Sequence, residues 1–278
     1  ESRWYVNWNF NFGFYEKIFK LAKNNKIPLY ALNAPRAIIS KIRMKGWDKL
    51  SEDEKKAVPE PDVSHEEHRV LIRTVFESTE LPHQMKGGGL DMVFEGLYRA
   101  QSAWDEVMAF NALQSREREG RKMVVLSGSG HLLYNLGINR RAYEKSRLPF
   151  KTVLCIEVPE GKKSIKVTRS LADYVWGINE EKMPIFPSIG LRFKKFDRLD
   201  NLVLASKPID GISKNANFEK GDVVLSVDGN SFSDINELRI YLAEFNWDDE
   251  VKFCLLRNAQ QLEVLLKFQP PEKKGQGS

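Results

Sequence analysis

The chain has 278 residues, 42% of them apolar and 29% charged, the balance of a globular protein with room for one large or two ordinary domains. Its net charge of +5 comes from Lys and Arg interspersed with Asp and Glu, a mild excess that suits anionic partners and, with no long basic block, argues against nucleic acid. No uninterrupted apolar run approaches the roughly 18 residues of a membrane span, no signal peptide is visible, and the opening at Glu1 fits a processed or trimmed chain.

Ile27 to Leu32 reads as a strand. Asn33-Ala34-Pro35-Arg36 leads into a helical run, Ala37 to Lys45, that Gly46 ends; Pro in the first turn and Asn before it are helix-start signals. Ser51 to Lys56 is a short helix with an acidic first turn. His65 to Ser78 is helical by pattern, with Val70, Leu71, Val75 and Phe76 as its apolar stripe. Its opening His65-Glu66-Glu67-His68 lacks the His-Glu-x-x-His spacing of zinc proteases and any companion ligands, so it reads as a solvated helix start. Gly87 to Gly89 is a flexible joint, because no Lys-Ser or Lys-Thr follows to make a phosphate loop. The strongest helix runs from Leu90 to about Arg118, with Val93, Leu97, Ala100, Trp104 and Val107 at helical spacing. Gln101 and Asp105, four residues apart, share an adjacent face with Met108.

Met123 to Ser127 reads as a short buried strand, followed by Gly128-Ser129-Gly130-His131. Ligands of open α/β sheets sit beyond the carboxyl ends of strands. A Gly-x-x-His turn there lets backbone approach closely and sets an imidazole at the crevice; the alternative is a turn whose His is a polar cap. Asp105 either orients His131 or pairs elsewhere with a loop or an Arg. Asn33 either faces the same crevice or caps the following helix. A helix at Arg140 to Ser146 and strands at Thr152 to Val158 and Ala172 to Gly177 complete the first part. This order predicts a mostly parallel sheet covered by helices, and the few strands imply that others precede Glu1. Cys155 and Cys254 lie in apolar strand-like runs and read as core thiols.

Composition changes after Lys182, where Met183-Pro184-Ile185-Phe186-Pro187 reads as a linker. Strands are expected at Leu202 to Ala205, Val223 to Val227, Val251 to Leu256 and Leu262 to Phe268. Asp228-Gly229-Asn230 is a turn and Ile235 to Phe245 an amphipathic helix. The polar tail, residues 270–278, reads as disordered.

Two family resemblances attach to these residues. Ser188-Ile189-Gly190-Leu191-Arg192-Phe193 resembles the carboxylate-binding loop of PDZ domains, usually Gly-Leu-Gly-Phe, with Arg192 in place of the second glycine. Phe218-Glu219-Lys220-Gly221-Asp222-Val223-Val224-Leu225-Ser226-Val227-Asp228-Gly229 resembles the same family's strand-and-turn core. A small β-rich domain over 187–269 is implied, taking a C-terminal peptide as an added strand. Gly190, Leu191, Arg192 and Phe193 would bind the peptide end. Leu238 and Leu242 either face the peptide or belong to the core.

The first part, residues 1–182, resembles the ChaN-like haem-binding family of the Tiki, TraB and erythromycin-esterase superfamily. Tyr15-Glu16-Lys17-Ile18, Ile27 to Arg36, Ala100 to Ala109, Val124 to His131 with Gly137 to Arg141, and Ala172 to Trp176 follow the family's order. The family's opening strand with its Gly-Glu-x-His motif is missing here. The resemblance implies an α/β fold and haem as cofactor, held around His131, Gly128, Gly130, Tyr134, Asn33, Arg36, Gln101 and Asp105. Tyr134 and Tyr174 are candidates for the iron ligand, Tyr174 alternatively a packed strand residue, and Arg36, Arg140 and Arg141 are either propionate partners or surface salt-bridge residues. It further implies iron uptake or trafficking outside the cytoplasm, allows a homodimer, and allows membrane attachment through a preceding segment. A divalent metal at His131, serving a hydrolase of the wider superfamily, is the alternative; a non-catalytic scaffold is another.

Overall fold

The computed structural model describes residues 4–8, 10–79, 89–181, 184–196 and 199–270. The Gly87–Gly88 joint, Met183 of the linker and the tail from residue 271 lie outside them. In chain order the helices are α1 (Trp4–Asn7), α2 (Glu16–Asn24), α3 (Arg36–Lys45), α4 (Glu52–Ala57), α5 (Glu66–Glu77), α6 (Leu90–Glu119), α7 (Ile138–Ser146) and α8 (Ile235–Leu242). The strands are β1 (Val153–Val158), β2 (Tyr174–Asn179), β3 (Phe193–Phe196), β4 (Leu199–Leu204), β5 (Val223–Val227), β6 (Glu250–Arg257) and β7 (Gln260–Lys267). Two units form, one of Pro28–Glu180 and one of Glu1–Ile27 with Glu181–Ser278. None of the helices, among the described residues, is long and apolar enough to cross a membrane.

The α/β unit is built on α6, which buries side chains along most of its length. Ala100, Ala103 and Val107 pack on Ile39 and Ile42 of α3 with Leu50 and Val58. Phe94 and Tyr98 pack on Ile72 and Phe76 of α5, and Met108 and Ala109 on Ile138 of α7. Each such large apolar side chain, fully buried, contributes about 1.5–3 kcal/mol. Helix ends follow local chemistry. Ser51 caps α4 in a capping box, its Oγ accepting from Glu54 N at 3.3 Å while Glu54 Oε2 accepts from Ser51 N at 2.7 Å. Gly46 closes α3 with φ of 92°, a conformation that favours glycine. Where α3 crosses α6, a Cβ on Gly96 would stand 2.8 Å from the Arg43 carbonyl oxygen, so only glycine permits that approach.

Three expectations are corrected here. First, α5 buries His68, Ile72 and Phe76 at i, i+4, i+8, while Val70 and Val75 are exposed. The burying stripe lies beside the expected one, because α6 presents Tyr98 and Asp105 to it. Second, the sheet is small: β1 and β2 pair in parallel, Val153 opposite Tyr174 through Val158 opposite Asn179. Ile27–Leu32 and Met123–Ser127 carry no strand pairing, since a strand needs a neighbour's N–H and C=O groups. Their apolar side chains alternate, with Val124 and Leu126 exposed and Val125 half-buried. Third, Cys155 is exposed and Cys254 only partly buried, both as free thiols. All of β2, including Tyr174, is likewise exposed, since nothing among the described residues covers that side.

The second unit is an antiparallel sheet in the order β3-β4-β5-β6-β7, leaving β3 and β7 as edges. Helix α8 closes one side. Asp234 caps it by accepting from Asn236 N at 2.7 Å and Glu237 N at 3.2 Å. Leu238 and Leu242 join Phe218, Val224, Phe253, Leu255 and Phe268 in the core. Asp222, itself buried, takes a bidentate pair from Arg257, Nε to Oδ1 at 2.7 Å and Nη2 to Oδ2 at 2.8 Å.

Residues 4–27, expected in the first domain, pack with this second unit. Tyr5 N donates to Asn236 Oδ1 at 3.1 Å, Arg239 donates to the Tyr5 carbonyl, and Asn11 Nδ2 donates to Ala243 O at 3.3 Å. Trp4, Phe12, Tyr15 and Phe19 form an aromatic cluster with edge-on contacts of 5.1–5.6 Å between ring centres.

Candidate functional site: a histidine anchored on a buried carboxylate

Gly128 leads into a single 3-10 turn, Ser129–His131, closed by His131 N donating to Gly128 O at 3.1 Å. Two left-handed residues follow, Tyr134 and Asn135, with φ of 56° and 59°. Such backbone is costly away from glycine and persists where surroundings fix it. Here Tyr134 N donates to Leu171 O at 2.9 Å, and Asn139 Nδ2 donates to Asn135 Oδ1 at 2.7 Å and Thr152 Oγ1 at 3.0 Å. The histidine turn is thereby tied to α7, to the start of β1 and to the approach to β2.

Gly137 lies directly beneath this turn. A Cβ there would sit 2.1 Å from His131 O. Gly137→Ala is therefore expected to displace the turn and cost about 1–3 kcal/mol. It would be read as a lower urea midpoint together with loss of the hydrogen-bonded His131 ring proton from the NMR spectrum; an unchanged ring proton would contradict this placement.

His131 Nδ1 stands 2.5 Å from Asp105 Oδ1 and 2.8 Å from Gln101 Nε2, and Gln101 Nε2 is 3.4 Å from the same carboxylate oxygen. A carboxylate only accepts, so the proton is assigned to Nδ1 and the lone pair to Nε2; the Gln101 amide nitrogen, itself a donor, then bonds the Asp105 carboxylate rather than the ring. Asp105 is fully buried, whereas the His131 side chain is 23% exposed. Trp104 meets the imidazole edge-on at 6.4 Å. A Cβ at Gly130 would meet nothing within 4 Å, which leaves open space beside the turn.

Behind this pair lies a charged layer that sequence reasoning missed. His68, fully buried, places Nε2 3.3 Å from Asp105 Oδ2. Arg141, also buried, reaches Asp105 Oδ2 at 4.0 Å and Glu106 Oε2 at 3.3 Å, and Lys145 Nζ reaches Glu106 Oε1 at 2.8 Å. Both His68 nitrogens and Asp105 Oδ2 make no hydrogen bond among the described residues, despite those distances. Burial raises the Asp105 carboxyl above its usual value, opposed by the His131 hydrogen bond and by the charges of His131 and Arg141. Burial pushes His68 down to about 3, reinforced by the positive charges of Arg141, His65 and His131. The His68-Ile72-Phe76 spacing was the available signal, since it aligns His68 with two core side chains.

Asn33 is exposed and does not cap α3, whose N-cap is Pro35. Arg36 is exposed on the first turn of α3. Arg140 is engaged by Glu67 at 2.8 Å and Glu144 at 3.0 Å, and Arg141, offered as a propionate partner, is instead buried in the charged layer. Tyr134 is 36% exposed with its hydroxyl 3.5 Å from Thr168 Oγ1. In the other unit, Gly190 has φ of 78°, and a Cβ on it would stand 2.1 Å from Asp210 O. Ile212 N and Ser213 N donate to Ser188 O and Ile189 O at 2.9 and 3.2 Å, pinning the loop. Leu191 and Phe193 are buried and Arg192 is exposed.

Residues 1–142 match the family described as haem-binding uptake, Tiki superfamily, ChaN. The chain belongs to this family. Beyond the ChaN match it carries a PDZ domain at 187–268. No curated protein matches. Among solved structures, similarity reaches the HtrA-type protease AlgW with decapeptide, at 19% identity and TM-score 0.29 over 32% of this chain and 30% of that one. A serine endoprotease from Yersinia pestis gives 23% identity and 0.27 over 32% and 30%. An aminopeptidase N family protein from Idiomarina loihiensis gives 17% and 0.27 over 34% and 15%. The ChaN-family chain thus spans about a third or less of the length of these three proteins.

Proposed function

We propose that the α/β unit binds haem through His131 Nε2, and that the PDZ domain brings the carrier to the C-terminus of a partner in iron acquisition outside the cytoplasm. The observation that carries the first half is the 2.5 Å contact between His131 Nδ1 and the buried Asp105. It fixes the ring, holds the proton on the inner nitrogen and leaves the outer nitrogen as a donor, the arrangement that raises ligand basicity in metal-binding histidines. Among the described residues no group of three His, Cys, Asp or Glu is arranged around one ion. A single outward imidazole suits a haem, which brings four ring nitrogens of its own, better than a bare cation that takes three or four protein ligands. When bound, haem would supply the iron centre; Asp105 holds the imidazole, Gln101 Nε2 donates to that carboxylate, and the glycine turn leaves space beside the ring. The location outside the cytoplasm and the role in iron acquisition rest on the ChaN resemblance.

Titration with ferric haem, followed in the visible spectrum, tests this. Saturable binding with a shifted Soret band is expected, with affinity reduced at least about tenfold in His131→Ala and about 10- to 100-fold in Asp105→Ala, the range for losing a ligand's supporting carboxylate. Unchanged affinity and spectrum in His131→Ala would remove His131 as the ligand. Loss in Tyr134→Phe alone would transfer the role to Tyr134.

A further inference from the structure

From the geometry and charge of β3 we infer that the PDZ domain selects acidic C-terminal peptides; this rests on the peptide-binding reading above. Strand β3 is an edge of its sheet, bonded to β4 on one side. Its outer side presents backbone groups that an incoming strand can pair with. The sequence Arg192-Phe193-Lys194-Lys195 sends Phe193 into the core and leaves the three cations exposed. Among the described residues Arg192 meets a carboxylate, Asp210, only at 4.0 Å, and Lys194 and Lys195 meet none within ion-pair distance.

An edge strand bearing lysines is ordinarily guarded against pairing, since like charges repel a chance neighbour and ammonium groups resist desolvation. The same lysines favour a neighbour of opposite charge. A peptide whose carboxylate sits at the Ser188–Gly190 loop and which runs antiparallel along β3 lays its preceding residues beside Lys194 and Lys195. Asp or Glu at those positions would pair with them, and Lys or Arg would be rejected. Exposed pairs of this kind contribute modestly to affinity and more to partner choice and association rate.

The test uses the full chain and three fluorescein-labelled peptides with free C-termini and a shared terminal Val, preceded by Asp-Glu-Asp, Ser-Thr-Ser or Lys-Arg-Lys. Fluorescence polarisation is expected to rank the acidic peptide about fivefold tighter than the neutral one, with the basic peptide weakest. About 0.5 M salt should erase most of that difference, and Lys194→Glu with Lys195→Glu should invert the ranking while circular dichroism stays unchanged. Equal binding of all three peptides would overturn the charge selection and leave peptide binding standing. No binding by any would overturn both. Capture of phosphatidylserine vesicles through the same two lysines, without peptide binding, would assign the face to a membrane and overturn the proposal.

Discussion

Lowering the pH from 7 to 5 is expected to destabilise the α/β unit through His68 by about 2 kcal/mol, at about 1.4 kcal/mol per pKa unit. In the unfolded chain His68 takes up a proton near its ordinary value of 6.5, whereas in the folded chain it stays neutral until about 3. Between those limits the unfolded state holds the extra proton, so falling pH favours unfolding. Asp105 works in the opposite sense. Its raised carboxyl means the folded state binds the proton first as pH falls, which recovers stability from above its ordinary range downward. The two must be separated by mutation. His68→Phe keeps a ring against Tyr98, which His68 contacts at 5.6 Å between centres, and removes one titration while Asp105 remains. Hydrogen exchange of the α6 amides, measured in wild type and variant at pH 7 and 5, reads this unit apart from the other. The opening free energy of wild type should fall more than that of His68→Phe by about 2 kcal/mol. Equal falls would mean that His68 is protonated in the folded state.

Helices α3 to α8 were legible because their ends are set by local chemistry, whereas α1 and α2 were not anticipated. Ser51 with Glu54, the left-handed Gly46 and the Asp234 cap each act within a few residues, so spacing alone reveals them. The strands of the PDZ domain were legible for a related reason: tight turns such as Asp228-Gly229 punctuate a meander in which neighbours in sequence are neighbours in the sheet. Ile27–Leu32 and Met123–Ser127 were not decided by sequence, because apolar alternation describes a chain suited to a sheet and pairing depends on a partner elsewhere. Cys155 and Tyr174 followed the same logic; an apolar strand is buried only when something covers it. At the candidate site, the i, i+4 relation made Gln101 and Asp105 share a helix face, and the structure brings His131 onto that face. His68 and Arg141 come from separate helices onto one carboxylate layer, a convergence that local spacing does not encode.

Removing Glu106 should be the most damaging single change in that layer. Arg141 is 1% exposed as a side chain, and its guanidinium has Glu106 as its nearest carboxylate, at 3.3 Å from Nε, with Asp105 at 4.0 Å. Its other partners are the carbonyls of Leu136 and Asp62, at 3.4 and 3.0 Å, which accept but carry no charge. Glu106→Ala leaves a buried cation short of its counter-charge, a change that costs about 3–5 kcal/mol. That is a large part of the roughly 5–15 kcal/mol by which domains of this kind are stable, so the α/β unit should unfold at a much lower urea concentration than in wild type while the PDZ domain keeps its dispersed NMR spectrum. The charge, rather than the volume lost, is the cause if a paired substitution rescues. Glu106→Met with Arg141→Met removes both charges and keeps apolar bulk, and should return most of the lost stability, since apolar replacement of a buried ion pair is often neutral or favourable. Urea midpoints of the three proteins decide the matter. A double variant as unstable as Glu106→Ala would show that packing, not the unpaired guanidinium, sets the cost, and a single variant within about 1 kcal/mol of wild type would mean that Arg141 keeps enough compensation from Asp105 alone.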